Sequence, residues 1–175
     1  MDYYDKFKYP DASEELIPGY SYDVRQSLGE VIIWFEDLDE QLSSAITFLL
    51  RRDDTVGQIV TAELSFKGKV NLFGVLFNYE RPSSEYLDRL KELCGECLHI
   101  EEIRNQVVHS KWRNMLEGSG MTRSKYIARH KQGLKHQSET MTPTQVEAIA
   151  MYCGYLAHEV DELMYMEFGR DYGEP

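Results

Sequence analysis

Ile103-Arg104-Asn105-Gln106-Val107-Val108-His109-Ser110-Lys111-Trp112 closes one run of helical spacing and opens the most basic part of an acidic chain. Upstream of it Leu87, Leu90, Cys94, Cys97, Ile100, Ile103 and Val107 recur at steps of three and four, which predicts an amphipathic helix. Within six residues the stretch brings together a cation suited to phosphate, an amide and an imidazole. On a continuous helix Arg104 and His109 lie about 140° apart, whereas Asn105 and His109, four apart, share a face. The long Arg104 side chain reaches the same point if the helix frays near His109.

Moving outward, the preceding residues predict two more helices. Ser21 can cap the first, and Leu28, Val31, Phe35, Leu38, Leu42, Ala45 and Leu49 form its apolar line, ending near Arg51-Arg52. A helix of this length, about 45 Å, is longer than a small domain needs, so part of it is available to a partner chain unless it kinks near Gly29. Asp53-Asp54 break the pattern, and Thr55-Val56-Gly57-Gln58 has the form of a capping box. A second helix then carries Ile59, Ala62, Phe66, Val70, Phe73 and Phe77 on one face until Pro82, with Glu63 at the edge of that face. Ser83-Ser84-Glu85 start the helix that ends in the opening stretch.

Beyond His109 the helical pattern fails. Turns are expected at Glu117-Gly118-Ser119-Gly120 and Gln132-Gly133, with β-capable residues between them, so residues 112–140 are expected to form a hairpin or three-strand flap. Residues 110–136 hold seven Lys/Arg and one acid, about +6, against a net charge of −11 for the chain. Trp112, Tyr126, His130 and His136 interleave with these cations. Such interleaving suits unpaired nucleic acid, through stacking and phosphate contact, which marks Lys111, Trp112, Arg113, Arg123, Lys125, Tyr126 and Arg129. The opposing expectation is a solvated loop whose aromatics cap the helices. Thr142-Pro143-Thr144-Gln145 starts a last helix along Val146, Ile149, Cys153, Leu156, Val160 and Leu163.

The remaining features mostly exclude. A length of 175 residues with 42% hydrophobic residues suits one domain, here residues 21–170 behind an acidic, aromatic arm over 1–20. No apolar run approaches the roughly 18 residues of a membrane span, and Met1-Asp2-Tyr3-Tyr4-Asp5 is not a signal peptide. Three cysteines give no disulfide framework, so a cytoplasmic setting is expected. Cys94-Gly95-Glu96-Cys97 has redox or zinc spacing but lacks further ligands or a preceding strand. Its cysteines lie on the apolar face, as Cys153 does, and are expected to pack in the core. No cofactor or metal is expected, and His158 is expected to be a surface or satisfied histidine.

Arg104, Asn105 and His109, behind a long helical pair and ahead of a further helix, resemble the Arg-x4-6-His motif of the HEPN superfamily, in which Asn often follows the Arg. The resemblance implies an all-α antiparallel four-helix bundle carrying the flap before its last helix. It also implies a metal-independent endoribonuclease on single-stranded RNA, acting as a homodimer in a toxin or defence role, with an antitoxin or other regulatory protein as partner. In that scheme His109 moves protons, Arg104 clamps phosphate, Asn105 orients His109 or the phosphate, and Glu63 partners Arg104. HEPN toxins inactivated by a nucleotidyltransferase carry Tyr two residues after the His; Lys111 stands there, so nucleotide addition at that point is not expected. The rival expectations are a non-catalytic RNA- or nucleotide-binding module and a structural helical interaction protein.

Overall fold

The computed structural model describes residues 22–51, 53–114, 121–129 and 133–173. The arm over 1–20, the Glu117–Gly120 turn and His130 lie outside them. The described chain is mostly helical, with one small antiparallel sheet. α1 (Tyr22–Leu49) runs unbroken for 28 residues, about 42 Å, past Gly29. Its turn-out passes through Arg51 at φ 48°, a left-handed conformation that costs a non-glycine residue about 1 kcal/mol. The Arg51 Nε–Glu80 ion pair at 2.9 Å ties this corner to a later helix end.

The expected second helix is two. α2 (Asp54–Ala62) is capped by the Asp53 carboxylate, which accepts the Thr55 N–H, not by the Thr55–Gln58 box. The chain breaks at Glu63-Leu64-Ser65, and α3 (Phe66–Glu80) restarts with the Ser65 hydroxyl accepting the Gly68 N–H at 3.2 Å. Phe66, Val70, Phe73 and Phe77 are buried as expected, whereas Ile59 is exposed and belongs to a different face. α4 (Leu87–Val108) follows, then β1 (Lys111–Asn114), β2 (Met121–Arg129) and β3 (Gly133–Met141). α5 (Pro143–Phe168) begins at the expected Thr142–Gln145 capping box, and a short α6 (Arg170–Gly173) ends the described chain.

Paired contacts give the directions of the helices. Trp34 lies against Gly154, the Gln41 amide donates to Asp161, and Phe48 meets Phe168, so α1 and α5 run parallel along their lengths. Phe35 packs on Phe66 and Lys69 pairs with Asp39, so α3 also runs with α1, while α2 has carried the chain back. Arg89 of α4 reaches Glu159 and Glu162, and Val107 clusters with Val146, which makes α4 antiparallel to α5. Consecutive helices thus alternate in direction, but because α2 and α3 replace one helix, α1, α3 and α5 run parallel and α4 opposes them. One core of buried side chains from α1, α3, α4 and α5 holds the arrangement, with Phe73, Phe77, Leu38, Leu42 and Leu163 wholly enclosed. Cys97 and Cys153 are part of this core and Cys94 packs against it. Burial pushes the Cys94 and Cys153 thiols up to about 11 and Cys97 further, so all three stay protonated and inert.

The sheet has the order β1-β2-β3, antiparallel throughout, with Trp112 opposite Arg123 and Arg123 opposite Glu139. A second cluster, Val31, Val107, Trp112, Val146 and Ala150, pins it to the ends of α1, α4 and α5.

Candidate functional site

α4 stops at Val108 because the next residues satisfy its last carbonyls by other means. His109 leaves helical geometry at φ −96°, ψ 14°, its N–H still bound to Asn105 O at 3.2 Å. The Ser110 hydroxyl donates back to Gln106 O, and Trp112 Nε1 donates to Val107 O at 2.9 Å. Two side chains thus serve carbonyls that a helix end leaves orphaned. Trp112 is buried, with 7% of its surface exposed, so its ring anchors the sheet to the helix and offers no open face for stacking a base.

Arg104 lies one turn earlier, facing α1. Its guanidinium sits 4.6 Å above the Phe35 ring, a cation–π arrangement. Nη1 donates to Asn105 Oδ1 at 3.1 Å, and Nη2 stands 4.0 Å from Glu36. Nε is buried and has no hydrogen-bond partner among the described residues. The guanidinium is thus answered only in part, by one amide oxygen and by an acid at 4.0 Å. The side chain is 20% exposed, while Glu36 is 67% exposed and weakly engaged. His109, at the end of the same helix, is exposed, and Asn105 is half-buried.

Glu63 falls elsewhere in the scheme than expected. It caps the C-terminus of α2, is exposed, and the acid that approaches Arg104 is Glu36. The reason is the break at 63–65: once the second helix is split, Glu63 no longer extends the face that carries Phe66. Sequence reasoning missed Glu36 and Phe35 as the surroundings of Arg104. Their available signal was adjacency, since Phe35 is a member of the first apolar line and Glu36 follows it.

The flap cations divide. Arg123 bonds Glu139 through Nε at 2.9 Å and through Nη2, and Nη2 also reaches Gln106 Oε1 at 3.2 Å. It therefore links the sheet to the last turn of α4, with its charge largely answered. Lys111 is exposed beside His109. Arg113, Lys125, Tyr126 and Arg129 take their places in the strands, Tyr126 opposite His136 and Lys125 opposite Gln137, and their side chains lie outside the described residues. His136 is exposed, as is His158 on α5.

No family model, curated protein or solved structure matches the chain. Among the described residues no helix is long and apolar enough to cross a membrane.

Proposed function

We propose that the chain is a HEPN-type endoribonuclease of single-stranded RNA, its four-helix core the HEPN-like bundle and its active form a homodimer. The observation that carries this reading is the end of α4, where an incompletely neutralised Arg104, bonded to Asn105, shares one helix terminus with an exposed His109. In the proposed reaction the RNA 2′-hydroxyl attacks the neighbouring phosphorus, the 5′-oxygen leaves, and a cyclic phosphate and a 5′-hydroxyl result. His109 takes or returns a proton, a task suited to an imidazole near neutral pH. Arg104 answers the charge that gathers on the phosphoryl oxygens, displacing the distant Glu36. One histidine is short of the two proton transfers, and a second copy supplies the other.

A structural reading is favoured by the stacking of Arg104 on Phe35, which holds a cation whether or not RNA is present. Cleavage of mixed-sequence RNA in EDTA separates the two. The catalytic reading expects cyclic-phosphate ends from the unaltered protein, none from His109→Ala, and a loss of about 100-fold or more with Arg104→Lys. RNA bound tightly but left intact would replace catalysis by a binding role. RNA neither cut nor bound, with His109→Ala unfolding the protein, would make the site structural.

A further inference from the structure

Glu36 stands where an anion would have to approach Arg104. It follows Phe35 on α1, and the buried Phe35 ring lies 4.6 Å from the Arg104 guanidinium carbon. The ring covers one face of the guanidinium plane. Its N–H groups donate within that plane, so an anion is taken at an edge. The edges are unequal. Nε is buried and reaches no acceptor among the described residues, which closes that side to an incoming group. Nη1 already donates to Asn105 Oδ1 at 3.1 Å. Nη2 makes no hydrogen bond among the described residues, and Glu36 Oε1 stands 4.0 Å from it, beyond hydrogen-bond reach.

An anion that reaches Arg104 therefore meets Nη2 on the side that Glu36 occupies. Two negative groups at one donor repel each other, and the acid has the freedom to leave. Its side chain is 67% exposed, and no hydrogen bond among the described residues holds it. An exposed pair of this kind contributes little to stability, so its loss costs the fold little. Glu36 is thus near enough to compete for Arg104 and loose enough to be displaced.

We propose that Glu36 sets the affinity of the site for phosphate: it faces the open donor of Arg104 in the free protein, and an RNA phosphate binds by displacing it. The inference rests on the ribonuclease reading and names the residue that tunes substrate binding within it.

A mixed-sequence 2′-O-methyl oligoribonucleotide, which lacks the attacking hydroxyl, isolates binding from cleavage. Its affinity for the full chain is read by fluorescence anisotropy. Glu36→Gln is expected to tighten binding about threefold, the scale of one exposed ion pair, with an unchanged melting temperature. Asp37→Asn, the same charge change at the next exposed position of α1, is expected to leave the affinity near that of the unaltered protein. In an Arg104→Gln background the gain from Glu36→Gln is expected to disappear, because the two act through one contact. Binding that Glu36→Gln leaves unchanged overturns the proposal, as does equal tightening by Asp37→Asn, which would reduce the effect to the net charge of −11. A gain that survives without Arg104 overturns it as well. The comparison with Asp37→Asn decides the matter if Arg104→Gln loses its fold. In each of these outcomes RNA is still bound and the ribonuclease reading stands. An oligonucleotide bound by neither the unaltered protein nor Glu36→Gln would remove that reading and the role of Glu36 together.

Discussion

At the scale of single residues, the decisive property is how completely each charge is answered. Arg104 is held by a ring, an amide and a distant acid, with Nε unsatisfied, whereas Arg89 is bound by Glu159 at 2.6 Å and Glu162 at 3.0 Å. The Arg89 hydrogen bond holds the Glu159 carboxyl below its ordinary range. A carboxyl depressed in the folded state contributes stability above its unfolded pKa and loses it as pH falls through the folded value. Glu159→Gln is therefore expected to lower stability at neutral pH by less than about 1 kcal/mol, since the pair is partly exposed. The difference from the unaltered protein should shrink as pH falls below about 4 and vanish only beneath the depressed folded value. Urea titrations across pH 3–7 measure both, and a gap that persisted at the acid end would remove the Arg89 bond as its source.

At the scale of elements, a single hydroxyl decides the topology. Residues 55–81 carry helical spacing almost throughout, but Ser65 turns its side chain onto the Gly68 N–H and starts a new helix in the opposite direction. The sign of one substitution reports this. Were residues 55–81 one helix, Ser65→Ala would stabilise by about 0.5 kcal/mol through propensity. With Ser65 as a cap, the same change is expected to destabilise by about 1 kcal/mol. Equilibrium unfolding distinguishes gain from loss, and a gain would refute the break. The same break sends α3 alongside α1.

At the scale of the whole molecule, α1 and α5 leave a line of large apolar groups uncovered. Trp34 leans over Gly154, flanked in sequence by Met151 and Tyr155, and Ile33 is two-thirds exposed. Solvated apolar groups in this number suit an interface, and the proposed ribonuclease requires a second copy. Light scattering is expected to give a dimer at micromolar concentrations and a monomer for the Ile33→Lys, Met151→Lys double variant. A monomeric unaltered protein that RNA fails to associate would end the dimer proposal. Trp34 and Gly154 also show why α1 and α5 run so close: with no Cβ on the glycine, an indole packs directly on backbone.

Helix-forming spacing, the Thr142 capping box, the burial of Cys97 and Cys153 and the strands between α4 and α5 were all legible from residue order. Each depends on interactions within a few residues or on the simple division of apolar from polar faces. That α4 ends at His109, with Arg104 and Asn105 in its last turns, was legible for the same reason. Tertiary structure alone decided that Glu36 rather than Glu63 approaches Arg104, that Trp112 is an anchor and that Arg123 is paired. It also decided that α1, α3 and α5 run parallel. Those outcomes depend on which surfaces meet after the chain reverses at Ser65 and the sheet folds onto α4. Such contacts join residues tens of positions apart, and no local spacing encodes them.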